Sequence, residues 1–232
     1  MITKEEFMTK VRGGLIVSCQ AIPGEPLYRP EGGVMPLMAK AAMEAGAVGI
    51  RSSSVRDVAD IMAQVPLPMI GIIKRKYPGF GAYITPSMQE VDELVETGCH
   101  VIALDCTRLS RPGNLTPADL IRSIREKNPH QLLMADCDSL EDAREAADAG
   151  IDFVGTTMNG YLPGETPTVG PNFELAEQIL RMVKVPLIAE GRIHYPDQAK
   201  KMLDMGALAV VVGGAITRPL EITQRFVSAI RA

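Results

Sequence analysis

The chain has 232 residues, of which 46% are apolar and 22% charged, with 24 basic against 28 acidic side chains for a net charge of −4. This is ordinary globular composition, which excludes a disordered chain, and the acidic balance offers no positive field for nucleic acid or an anionic membrane surface. A chain of this length buries enough surface to fold without staples, and its longest apolar run, Gly206 to Ile216, is too short to cross a bilayer.

Taken in chain order, short β-branched segments alternate with amphipathic ones. The pattern predicts a strand over Leu15–Cys19, a helix over Val34–Ala45, and strands over Val48–Ile50 and Met69–Ile73. A helix over Met88–Thr97 and a strand over Val101–Leu104 follow, and Thr116-Pro117 then reads as a cap and first turn of a helix. The second half repeats the alternation: strand Leu132–Ala135, helix Leu140–Ala149 capped by Ser139, strand Phe153–Gly155, helix Phe173–Val183 and strand Pro186–Ala189. Helix Pro196–Met205, strand Ala209–Val212 and a helix opened by Pro219 complete it. Gly46, Gly98, Gly150 and Gly206 each close a helical stretch just before a strand, where a left-handed residue is favoured.

Eight strands alternating with about eight helices imply parallel pairing through right-handed crossovers. The strand ends from Gln20 to Gly213 recur about every 28 residues, the βα period of an eight-fold barrel. A doubly wound sheet would carry a G-x-G-x-x-G turn after its first strand, and none is present. The expected fold is therefore α/β: a single-domain (β/α)8 TIM barrel of parallel strands over residues 1–232, with no linker.

Active sites of such barrels form at the carboxyl ends of the strands. The residues there are Gln20, Arg51, Lys74, Asp105, Asp136, Thr156, Glu190 and Gly213, seven of them polar or charged and following an apolar run. Alternate residues of a strand share a face. Lys74 aligns with Ile72 and Ile70, Asp136 with Met134 and Leu132, and Glu190 with Ile188, so all three point into the barrel if their apolar partners fill it. The plainer alternatives are that Asp105 and Asp136 accept loop hydrogen bonds and that Lys74 and Glu190 form a structural ion pair. Arg75 and Lys76 are expected to face outward without a role.

A second signal is an anion site. Gly191-Arg192 ends strand 7, Gly213-Gly214 ends strand 8, and Pro219 opens a helix whose positive end faces them. The loop Met158–Asn172, carrying Tyr161, reads either as a lid or as a long connection, and the Gln20–Gly33 loop lies on the same rim.

The strand-end segments, in order, resemble the N-acetylmannosamine-6-phosphate 2-epimerase family. The matching pieces are G-G-L-I-V-S-C-Q, G-I-R, I-G-I-I-K-R, V-I-A-L-D-C-T, M-A-D-C, G-T-T-M-N-G-Y, A-E-G-R and V-V-V-G-G-A-I-T-R-P, from Gly13 to about Arg225. The resemblance implies conversion of N-acetylmannosamine 6-phosphate to N-acetylglucosamine 6-phosphate in sialic-acid catabolism, with Lys74 and Glu190 as the catalytic pair. It further implies substrate contacts from Gln20, Arg51, Asp136 and Arg218. Asp138 leaves a second candidate beside Asp136, and I-H-Y-P after Arg192 departs from the family pattern.

On this reading neutral Lys74 removes the C2 proton of the ring-opened sugar, Glu190 relays protons, and Asp136 with Arg51 stabilises the enediolate-like charge. Of three histidines only His194 can reach the site, too few for a histidine-based metal cluster, so neither metal nor cofactor is expected. The alternatives are a Schiff-base aldolase or synthase using Lys74, and a non-catalytic sugar-phosphate-binding barrel. The expected partners are a phosphorylated amino sugar and a second copy of the chain as a homodimer, although no motif speaks to oligomeric state. Cys19, Cys99, Cys106 and Cys137 form no CxxC pair, and with no signal peptide evident the expected compartment is cytoplasmic.

Overall fold

The computed structural model describes residues 2–164 and 169–231. Eight parallel strands close into a barrel in sequence order, β1 pairing with both β2 and β8. The strands are β1 Leu15–Cys19, β2 Gly49–Ser53, β3 Met69–Ile72, β4 Val101–Asp105, β5 Leu132–Asp136, β6 Phe153–Gly155, β7 Leu187–Glu190 and β8 Ala209–Val212. The helices are α1 Lys4–Val11, α2 Val34–Glu44, α3 Val55–Met62, α4 Met88–Thr97, α5 Pro117–Lys127, α6 Leu140–Asp148, α7 Phe173–Met182, α8 Pro196–Asp204 and α9 Pro219–Arg231. No described helix is long and apolar enough to cross a membrane.

The local signals behave as their chemistry requires. Thr116 and Ser139 cap α5 and α6 with complete capping boxes, and Pro117, Pro196 and Pro219 each open a helix. Gly46, Gly98, Gly150 and Gly206 all have positive φ, from 72° to 112°, where a Cβ would be strained.

Two apolar clusters result from the two-residue alternation. One lies between the strands and the helical ring; the other fills the barrel with Ile16, Ile70, Ile72, Val101, Ala103, Met134, Phe153, Ile188 and Val211. Gly155 is part of that filling, because a Cβ there would collide with the Met134 methyl. The barrel floor is closed by α1, which the sequence pattern did not reveal: Phe7 and Val11 are fully buried, and Phe7 packs on Phe153 with ring centroids 5.1 Å apart. The four cysteines are free and buried.

Candidate active site

The carboxyl-terminal mouth of the barrel holds a cavity of about 730 Å³. Its wall includes Gln20, Arg51, Lys74, Tyr83, Thr157, Glu190, Gly191, Arg192, Gly213, Gly214 and Arg218. Lys74 and Glu190 point here because each follows, at even spacing, an apolar residue that fills the barrel below, Ile72 and Ile188.

At the centre is Arg51, only 1% exposed although it is an inward-facing residue of β2. Such a charge is tolerated only when paired and hydrogen-bonded. Its Nη1 and Nη2 donate to Asp136 Oδ1 and Oδ2 at 3.0 and 2.5 Å, a two-pronged pair, and Nη1 also lies 2.9 Å from Glu190 Oε2. Burial works against the guanidinium charge, but Asp136 and Glu190 more than offset it and raise its pKa. The Arg51 Nε and the Gln20 Oε1 are buried without a partner among the described residues, while Gln20 Nε2 donates to Ser18 Oγ at 2.6 Å. An acceptor with no donor, on a cavity wall, suits a ligand N–H or O–H.

Lys74 follows β3 and is fixed by antiparallel backbone pairing with Ile84. The expected alternative of a Lys74–Glu190 salt bridge is not found among the described residues: Glu190 is paired with Arg51 instead. Burial, then Arg218, then Arg51 press the Lys74 ammonium down from its ordinary 10.5 to about 8, with Glu190 and Glu25 opposing. Glu190 is 13% exposed, and burial raises its carboxyl to about 7 despite the Arg51 charge, with Asp136 adding to the rise.

Asp136 is fully buried and is not on the cavity wall, so it holds Arg51 from beneath. Asp138 is engaged elsewhere: it accepts from Asn159 and from the Gly160 backbone N–H, anchoring the loop after β6. The plain alternative for Asp105 is what the structure contains, since its carboxylate accepts from the Thr107 N–H and hydroxyl.

Gly191, Arg192, Gly213, Gly214 and Arg218 do lie together on one side of the cavity. The bare glycine surface expected there is, however, covered. Arg218 is held between Glu25 at 3.2 Å and Glu221 at 2.9 Å, and a Cβ on Gly214 would strike the Glu221 carboxylate. Arg192 lies over the Tyr161 ring, 4.2 Å from its centroid, and donates to the Gly160 carbonyl. The Met158–Asn172 loop thus brings Tyr161 to the cavity, while residues 165–168 of that loop lie outside the described residues.

Two further readings need correction. Lys76 lines the cavity rim, whereas Arg75 is bound to Glu90 and Glu93. Thr156, taken as the polar end of strand 6, bonds to the Glu190 backbone, and its neighbour Thr157 is the residue facing inward. The spacing Phe153, Gly155, Thr157 carried that signal. No group of three or more His, Cys, Asp or Glu side chains among the described residues could hold a metal ion.

A closed all-parallel barrel with a lysine of lowered pKa, a buried acid and two arginines at its mouth defines the class: a (β/α)8-barrel enzyme. A family profile described as "NanE: Putative N-acetylmannosamine-6-phosphate epimerase" matches residues 35–232. The chain belongs to that family. It is 47% identical over 226 residues, 97% of this chain and 94% of the relative, to a "Putative N-acetylmannosamine-6-phosphate 2-epimerase" of Caldanaerobacter subterraneus. A protein of the same description from Clostridioides difficile is 48% identical, covering 97% of this chain and 99% of the relative. Among solved structures, the N-acetylmannosamine-6-phosphate 2-epimerase from Clostridium perfringens superposes with a TM-score of 0.90 at 46% identity, covering 96% of this chain and 95% of that one.

Proposed function

We propose that this chain interconverts N-acetylmannosamine 6-phosphate and N-acetylglucosamine 6-phosphate, acting in the cytoplasm in amino-sugar catabolism. The observation that carries the reading is Lys74, an amine held near pKa 8 at the wall of the cavity and close to a carboxyl group near 7. Epimerisation beside a carbonyl needs a base that is partly neutral at physiological pH and a second group that can be partly neutral as an acid. An unperturbed lysine would be neutral in fewer than about one molecule in a thousand at pH 7, and lowering its pKa to about 8 brings this to about a tenth.

In this mechanism Lys74 removes the proton at carbon 2 of the ring-opened sugar. Glu190 supplies a proton toward the carbonyl oxygen, and the Arg51 guanidinium, held by Asp136, offsets the developing negative charge. Gln20 Oε1 accepts from the substrate. Arg218, Arg192 and the glycine N–H groups take the phosphate, displacing Glu221 from Gly214. No metal or cofactor takes part. Membership of an epimerase family supports this reading over a Schiff-base enzyme or a non-catalytic barrel, which drew on the same lysine and anion corner. The assembly is a homodimer: α9 has no buried residue and leaves Phe226 and Ile230 68% and 82% exposed, an apolar face suited to a second copy.

The test is incubation with N-acetylmannosamine 6-phosphate in deuterated water, followed by NMR. The expected outcome is N-acetylglucosamine 6-phosphate labelled at carbon 2. No conversion removes the substrate assignment, and unlabelled product argues against exchange of the proton with solvent.

A further inference from the structure

One hydroxyl in the cavity touches both buried acids. Thr157 follows β6 and, at the third inward position after Phe153 and Gly155, sits between Asp136 of β5 and Glu190 of β7, its strand's two neighbours. Its Oγ1 lies 2.7 Å from Asp136 Oδ1 and 3.2 Å from Glu190 Oε2. The same two carboxylate oxygens lie 3.0 and 2.9 Å from Arg51 Nη1. The two acids are therefore joined twice, once through a permanent cation and once through a hydroxyl.

A hydroxyl carries a single proton and can donate it to only one acceptor at a time. Asp136, fully buried and gripped by both prongs of Arg51, is the nearer acceptor, at 2.7 Å against 3.2 Å for Glu190. The Thr157 proton is accordingly spent on Asp136. That turns an oxygen lone pair toward Glu190 Oε2. A lone pair facing an ionised carboxylate is repulsive; facing a carboxylic acid it accepts the acid's proton. The remaining groups facing Glu190 are Arg51 from β2, Lys74 after β3, and Tyr161 from the loop after β6. Arg51 and Lys74 favour the ionised form; burial and the Asp136 charge oppose them, and a hydroxyl turned to accept from Glu190 acts in the same direction.

We propose that Thr157 is a positioning residue that keeps Glu190 in its neutral, proton-donating form by accepting its carboxyl proton while donating its own to Asp136. In a Glu190–Thr157–Asp136 chain every proton has one donor and one acceptor, and no charge changes place until the substrate takes the Glu190 proton. The inference rests on the proposed role of Glu190 as the acid.

The experiment compares wild type with Thr157→Val, which keeps the shape and removes the hydroxyl, and Thr157→Ser, which restores the hydroxyl. In each the kcat pH profile is measured, and the Glu190 carboxyl is titrated by 13C NMR in glutamate-labelled protein, with Glu190→Gln assigning the signal. The expected result is that Thr157→Val moves the Glu190 titration down by about one pH unit, the worth of one hydrogen bond to a charged or acidic group, and with it the acid limb of kcat, which breaks at the lower of the two pKa values. Thr157→Ser returns both to the wild-type position. A Glu190 titration unmoved or moved upward in Thr157→Val overturns the inference, whatever the activity. Full activity in Glu190→Gln refutes the acid role itself, a separate failure.

Discussion

If Lys74 is charged at a cost to the fold, removing the charge should stabilise the protein while abolishing turnover. The perturbation is Lys74→Met, close in length and apolar. The folded-state pKa of about 8 lies below the ordinary 10.5, so between those values the unfolded chain binds more protons and stability rises with pH. Below pH 8 both states are charged and the penalty is present in full; above about 10.5 both are neutral and it is gone. The two pKa values differ by an amount worth roughly 3 kcal/mol. Partial exposure of Lys74, and loss of its attraction for Glu190, reduce the net gain to about 2 kcal/mol, or about 4–8 °C in Tm for a chain of this size. The assay is thermal unfolding of both proteins from pH 6 to 10.5, with turnover measured alongside. The gain should be largest below pH 8 and should fade as pH approaches 10.5. A variant that melts at or below wild type at pH 7, or a gain that stays constant across the range, refutes the account of Lys74 as a desolvated base.

Glu221→Gln removes the carboxylate that covers Gly214 and pairs with Arg218 at 2.9 Å. Substrate phosphate then no longer competes with it, so KM should fall by up to about fivefold with kcat little changed, the scale of a partly exposed ion pair; a raised KM would mean that Glu221 helps rather than blocks. Exhaustive chelation should leave turnover unchanged, measured after dialysis against EDTA, whereas loss of activity restored by a divalent ion would overturn the metal-free mechanism.

The barrel was legible because its signals are local and repetitive. Val, Ile and Ala alternate with helix formers, helix-closing glycines recur before strands, and β6 and β8 have the boundaries the pattern predicts. The parity count for Lys74, Asp136 and Glu190 succeeded for the same reason: side-chain direction in a strand depends on position alone. What escaped depends on partners distant in sequence. In α1 only Phe7 and Val11 are buried, too few apolar positions to mark a helix, and its place is set by Phe153. The apolar pattern of strand 2 stops at Ile50, but β2 continues through Ser53 and carries Arg51 inside the barrel, where Asp136 and Glu190 make its charge tolerable. Glu25 and Glu221 gave no sign of their position on Arg218, since a carboxylate in an expected phosphate corner contradicts the local charge logic.

The charges at the centre explain why the lysine and the acid belong together. Arg51 and Asp136 form a closed pair, fixed by two hydrogen bonds and leaving no net charge. What remains is Lys74 and Glu190, whose pKa values near 8 and 7 keep the order of an ordinary lysine and glutamate but narrow the usual gap of about six units to about one. A gap that small makes the neutral amine with the neutral acid a minor but accessible arrangement, differing from the charged pair by one proton transfer and no change in total charge. It is also the arrangement the reaction consumes. When Lys74 takes the carbon-bound proton and Glu190 gives its own to the carbonyl oxygen, the protein passes to the charged pair and the sugar becomes a neutral enol bearing the acetamido group at carbon 2, so no unpaired charge is created in the cavity. The reverse transfer to the other face restores the starting state. Burial that costs stability at two separate groups thus yields one site in which the proton can leave and return without a net charge being moved.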